Sequence, residues 1–143
     1  MSQINIRCRG IILHEGKLLV VKHAGGRDFY ALPGGHLDFG EDPKECMKRE
    51  LIEELGIAPD IGKLLYVHTF IQNDDKQTIE FFFEITNDAD YLLHAEKEKT
   101  HAHEIDECVW IECTSDVRIL PEKIGKDFRE GNLFSHSTQF FNG

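Results

Sequence analysis

Between Asp42 and Gly56 the chain carries a full set of helix instructions, and they constrain how everything around them can pack. Asp42 before Pro43 places a carboxylate at the N-cap and a proline at the first helical position, where a backbone N–H would be unpaired anyway. Glu45 stands three residues after Asp42, the spacing of a capping box. Gly56 supplies a residue free to take positive φ and stop the helix. Met47, Leu51 and Leu55 recur at i, i+4 and i+8 and form one apolar stripe. Glu50, Glu53 and Glu54 recur at i, i+3 and i+4 and share another face. The pattern predicts a helix that buries one side and carries a triple-carboxylate ridge on the other.

Such a ridge is uncomfortable by itself. Like charges at these spacings repel by tenths of a kcal/mol per pair. They also stand near the helix C-terminus, where the macrodipole disfavours anions. A hard divalent cation relieves the conflict, because it prefers carboxylate oxygens. Magnesium or manganese would also bridge to a phosphate. Upstream, Pro33-Gly34-Gly35 lets the backbone turn sharply and approach a ligand, with the Gly35 carbonyl available as an added metal ligand. Arg49 adjoins the ridge and has two candidate partners, Glu41 and Glu53. A bidentate pair with Glu41 would orient the loop against the helix.

Read as a pattern, this stretch runs Gly35, five residues, Glu41, seven residues, Arg49-Glu50, apolar Leu51, one residue, Glu53-Glu54, one residue, Gly56 and apolar Ile57. It resembles the Nudix box, with every specified position filled. The flanks are similar too: a leading hairpin, the entry Leu32-Pro33-Gly34-Gly35, and a late strand around Trp110. The resemblance implies an α/β fold, an α/β/α sandwich with a mixed β-sheet. It implies a hydrolase that cleaves a diphosphate linkage with Mg2+ or Mn2+. Carried over by position, Glu50, Glu53 and Glu54 resemble the family's catalytic metal ligands, joined by Gly35, while Arg49 and Glu41 look like the pair that orients them. The proton acceptor is expected to be Glu50 or a glutamate of the 87–106 segment, where Glu96, Glu98 and Glu104 are candidates.

The box is silent on the substrate. The region around Phe70-Ile71-Gln72-Asn73 lacks the proline of ADP-ribose-type relatives and the tyrosine of dinucleotide polyphosphate types. A nucleoside diphosphate derivative or a nucleoside triphosphate, oxidised forms included, is the expectation. Alternatives are a ligand-sensing module without catalysis and an ADP-ribose or nucleotide-sugar pyrophosphatase.

The remaining chain supports this frame. Its 143 residues suit one domain over 1–143. The net charge of −10 argues against nucleic acid as a partner, which needs a basic footprint. It fits cations mediating between an acidic protein and an anionic substrate. No apolar run approaches the roughly 20 residues of a membrane span. Cys8, Cys46, Cys108 and Cys113 form no CxxC pair, and the polar start carries no secretory pattern, so a cytoplasmic setting is expected. Dimers are common in the family, so a homodimer stays open, with the Phe81-Phe82-Phe83 strand as a guess for its interface.

Alternation predicts a strand over 4–13 and a second over 18–21, apolar on both faces and hence central, the two forming a hairpin. Further strands are expected over 61–72, 77–86 and 108–111, a helix over 122–130, a long loop over 87–106, and frayed final residues. Weaker signals are His36, the His101-Ala102-His103 pair, and Arg7, Lys22 and Arg27 as phosphate contacts; each is more often solvated surface or loop.

Overall fold

Strand register places the acidic helix. In a computed structural model, residues 1–23, 28–93 and 105–143 are described. In chain order the elements are β1 (Gln3–Ile11), β2 (Leu13–His14), β3 (Lys17–His23), β4 (Tyr30–Ala31), β5 (Gly34–His36), α1 (Pro43–Leu55), β6 (Ile61–Asn73) and β7 (Lys76–Ile85). A short 3-10 turn at Asp88–Tyr91 is followed by β8 (Ile105–Glu112), β9 (Ile119–Leu120), α2 (Glu122–Arg129) and β10 (Gln139–Asn142).

The described strands form two sheets. One has the order β10-β6-β7-β1-β5, and the other joins β2-β3-β4-β9 with β8 paired to β3. Both mix parallel and antiparallel pairs: β1 runs parallel to β7 and antiparallel to β5, and β4 runs parallel to β9 within the second sheet. The α/β class read from the sequence holds, with the mixed pairing shared between two sheets.

The leading hairpin is corrected in extent. Only Leu13–His14 pairs with β3, while the longer Gln3–Ile11 stretch belongs to the other sheet, beside β7. Ile11 and Ile12 are both fully buried at the crossing, Ile11 in the core under α2 and Ile12 in the core under α1. The final residues are also corrected. Gln139–Asn142 pairs in parallel with Tyr66–Thr69, because Phe141 packs inward against Tyr66 and His68. The Phe-rich strand is corrected as an interface. It lies between β6 and β1, and Phe82 and Phe83 are buried.

Each helix covers a core of its own. Cys46, Met47, Leu51 and Leu55 of α1 pack with Cys8, Phe83, Ile85, Leu19 and Val21. Ile124 and Phe128 of α2 pack with Ile11, Tyr66, Phe82, Leu18 and Val20. β3 feeds both cores from alternate residues, so all of Leu18–Val21 is fully buried, as expected for a central strand. Burying each large apolar side chain of the α1 stripe contributes about 1.5–3 kcal/mol.

The helix begins and ends as the sequence predicts. Glu45 N donates to Asp42 Oδ1 at 2.9 Å and Asp42 N donates to Glu45 Oε1 at 2.9 Å, a reciprocal capping box. Gly56 closes it at φ 74°. No helix among the described residues is long and apolar enough to cross a membrane.

Candidate active site

The three ridge glutamates share a helix but have different surroundings. Glu54 is 5% exposed, and its Oε1 accepts from Gly34 N at 3.0 Å. Glu50 lies against Gly35: a Cβ on that glycine would stand 2.4 Å from Glu50 Oε2. Glu53 is the most open of the three. Gly34 holds φ 144°, and a Cβ there would meet the Cys8 carbonyl oxygen at 2.0 Å, so only glycine lets β5 run so close to β1. The glycine pair thus brings two backbone units against two of the carboxylates.

Arg49 joins loop and helix. Its Nε donates to Glu41 Oε2 at 2.7 Å and its Nη2 to Glu41 Oε1 at 3.0 Å, a bidentate pair. Nη1 reaches Glu50 Oε1 at 2.9 Å and Glu53 Oε2 at 3.2 Å, and Nη2 also donates to the His36 carbonyl at 2.9 Å. Both partners suggested by spacing are therefore engaged by one guanidinium. The Arg49 contact, with a backbone N–H from Asp38, holds Glu41 below the usual carboxylate range. Burial lifts the Glu50 carboxyl above that range, and the Glu54 and Glu53 charges add to the rise against the pull of Arg49.

These groups fit a divalent cation by chemistry. They offer hard oxygen donors, and burial first, with the Glu54 and Glu53 charges, disfavours the Glu50 anion against the pull of Arg49. Among the described residues no three His, Cys, Asp or Glu side chains are gathered as a ready cage. Glu54 is turned to Gly34 N, Glu53 to Arg49, and the Gly35 carbonyl has the Cys46 thiol at 3.8 Å.

A cavity of about 740 Å³ opens on the opposite face of β1. Cys8 points to α1, while Arg7 and Arg9, on either side of it, line the cavity with Glu80, His68, Phe70 and Phe141. Arg118 and Lys123 stand at its other wall. Glu80 is buried; Arg9 Nε donates to its Oε2 at 2.7 Å, and His68 Nδ1 lies 3.0 Å from its Oε1. Burial alone would raise this carboxyl, but His68 and Arg9 reverse that and bring it to about 2. Arg9 also donates to the Leu32 carbonyl at 2.9 Å, tying the cavity wall to the chain that enters the glycine loop.

Arg7 is thus a cavity residue and not open surface, and its Nε approaches His36 Nε2 at 3.5 Å. Burial first, then Arg7 and Arg9, hold His36 below the ordinary imidazole range. Lys22 instead sits 5.4 Å over the Tyr30 ring. Arg27, Glu96, Glu98, Glu104, His101 and His103 lie outside the described residues. Arg9, His68, Glu80 and Phe141 carry no motif and were missed by sequence reasoning. The available signal was alternation: Arg7 and Arg9 fall on one face of β1, and Glu80 on the same inward row as Phe82.

An acidic loop–helix packs on one face of β1, and a polar cleft opens on the other. Residues 4–126 match the family model of the NUDIX domain, and the chain belongs to the Nudix hydrolase family. The phosphatase NudJ of Escherichia coli (strain K12) is 30% identical over 109 residues, covering 76% of this chain and 67% of that protein. Among solved structures, a MutT NUDIX hydrolase from Burkholderia pseudomallei superposes with TM-score 0.68 at 22% identity, covering 87% of this chain and 96% of that one. A UDP-X diphosphatase gives TM-score 0.69 at 20% identity, covering 99% of this chain and 68% of that chain. These two structural likenesses speak to the fold.

Proposed function

We propose that this protein is a divalent-metal-dependent hydrolase cleaving a diphosphate linkage in a nucleoside diphosphate derivative or a nucleoside triphosphate. The observation that carries the reading is the Glu50–Gly35 and Glu54–Gly34 contact pair, clamped by Arg49 and Glu41. Glu50, Glu53, Glu54 and the Gly35 carbonyl are the groups that would hold Mg2+ or Mn2+. When bound, the metal lowers the pKa of a water and neutralises phosphate charge.

The chain's own residues supply the rest. Arg49, with Glu41, fixes the helix carboxylates relative to the loop. Glu50 or a glutamate of the 87–106 segment is the candidate proton acceptor. Gly34 and Gly35 allow the loop to lie against the carboxylates without side-chain interference. The cavity seats the organic group flanking the diphosphate, with phenyl rings for a base and Arg7, Arg118 and Lys123 for charge. That relatives and structural neighbours are named phosphatase and diphosphatase supports the reaction class. A cytoplasmic setting suits four free cysteine thiols.

The test is a panel of nucleoside triphosphates, nucleoside diphosphates, nucleotide sugars, ADP-ribose and dinucleotides, each assayed with magnesium and with manganese. Cleavage that stops on chelation and returns with either metal is expected. Turnover that survives EDTA excludes the metal mechanism, and no cleavage of any member leaves the ligand-sensing alternative in its place.

A further inference from the structure

A buried carboxylate far along the chain holds the entry to the glycine loop. Glu80 stands on β7, and its Oε2 accepts from Arg9 Nε at 2.7 Å. Its Oε1 lies 3.0 Å from Nδ1 of His68, whose ring is stacked between Phe141 at 4.5 Å and Phe70 at 4.9 Å. Both oxygens of Glu80 are thus engaged. Arg9 stands on the neighbouring strand β1 with its side chain 11% exposed. A guanidinium so enclosed requires a counter-ion to stay where it is. With Nε on Glu80, the planar fork aims Nη1 at the Leu32 carbonyl, to which it donates at 2.9 Å.

That carbonyl is a sensitive place to hold. The peptide between Leu32 and Pro33 has no N–H, so the carbonyl is its one polar handle. The Leu32 side chain is buried in the core under α2, which fixes where the residue lies. Arg9 sets which way its carbonyl points. The chain then continues directly into the site: Pro33 O accepts from Gly10 N at 2.8 Å, and Gly34 N donates to Glu54 Oε1 at 3.0 Å. β5 is a three-residue strand at the edge of its sheet, and Gly34 and Gly35 bring no side chains to pack. Backbone contacts therefore carry its placement.

We propose that Glu80 is a positioning residue for the cleavage step, acting through Arg9 on the Leu32 carbonyl to seat Gly34 against the helix carboxylate Glu54. The effect on turnover rests on the hydrolase reading; the effect on the loop does not. Without the Glu80 charge, the guanidinium has the open cavity beside it and turns toward water, releasing the Leu32 carbonyl.

The experiment follows amide hydrogen exchange at Gly34 by NMR in metal-free wild type, Glu80→Gln, Arg9→Lys and the double variant. Each rate is compared with the ceiling set by that variant's own unfolding free energy, so that only local opening counts. Glu80→Gln keeps an acceptor and removes the charge; Arg9→Lys keeps the charge and removes the fork. Local exchange at Gly34 should rise about tenfold in each single variant, the scale of one hydrogen bond, and no further in the double variant. On a cleaved substrate, kcat should fall about tenfold while KM holds. Should Glu80→Gln not fold, Glu80→Asp, which withdraws the charge from Arg9 by one methylene, takes its place. Unchanged Gly34 exchange in the folded variants, effects that add in the double variant, or a loss confined to KM overturns the proposal. A loosened Gly34 in a protein that cleaves no member of the substrate panel would sink the hydrolase reading alone.

Discussion

Glu54 Oε1 accepts a hydrogen bond from the backbone N–H of Gly34 at 3.0 Å, which ties the helix carboxylate to the strand that leads into the loop. A glutamine keeps an acceptor in that place while losing the charge. Glu54→Gln is thus expected to fold normally and to lose at least about a hundredfold in kcat, the scale of a well-placed carboxylate. Phosphate release with magnesium, beside a melting curve, checks both halves; full activity in this variant would remove Glu54 from the mechanism.

The two loop glycines should respond in opposite ways. At Gly35 an added Cβ meets the far end of the Glu50 side chain, which can move, so Gly35→Ala should melt near the wild-type temperature yet lose activity. At Gly34 the Cβ meets backbone at 2.0 Å and the φ of 144° disfavours any L side chain, so Gly34→Ala should destabilise by about 3 kcal/mol or more. Equal melting temperatures for the two variants would contradict this account.

Arg49 contacts Glu41, Glu50, Glu53 and the His36 carbonyl at once. Lysine keeps the charge but has no planar fork, so Arg49→Lys should cost about tenfold to a hundredfold in kcat/KM. The loss should appear mainly in kcat if Arg49 orients the carboxylates and does not bind the organic group. A variant with unchanged kcat would argue that the pair is merely structural.

Glu80 sets a pH dependence of stability. Its folded-state pKa of about 2 lies below the ordinary 4.5, so the folded protein holds the anion more strongly than the unfolded chain does. That stabilisation, on the order of a few kcal/mol, is fully present above the ordinary value and is lost as pH falls from there toward about 2. Denaturant unfolding of wild type and Glu80→Gln across that window should show the difference between them shrinking as pH falls. A constant difference would mean that the Arg9 and His68 contacts do not favour the anion.

How far the chain can be read without its fold varies by element. The helix and its caps were legible because Asp42, Glu45 and Gly56 act on their nearest neighbours. The Glu41–Arg49 pair was one of two options from spacing, and the folded loop allowed Arg49 to take Glu41 and Glu53 together. The last residues looked frayed because β10 is short and polar at its ends, and its pairing partner Tyr66–Thr69 is remote in the chain. The leading hairpin was overextended because the apolar run Ile11-Ile12-Leu13 follows the alternating stretch without a break signal, although the chain changes sheets there.

By itself the sequence determined the acidic helix, its glycine stop, the Gly-rich approach and thereby the family, since these depend on residues within a few turns of one another. Only the tertiary structure decided that Glu50 and Glu54 press against Gly35 and Gly34, that Glu80 lies between Arg9 and His68, and that Phe141 closes the stack. Those contacts join residues as many as 73 positions apart and depend on which strand lies beside which and in what register. A one-residue slip would turn the strand side chains among them, Arg9, His68, Glu80 and Phe141, to the other face.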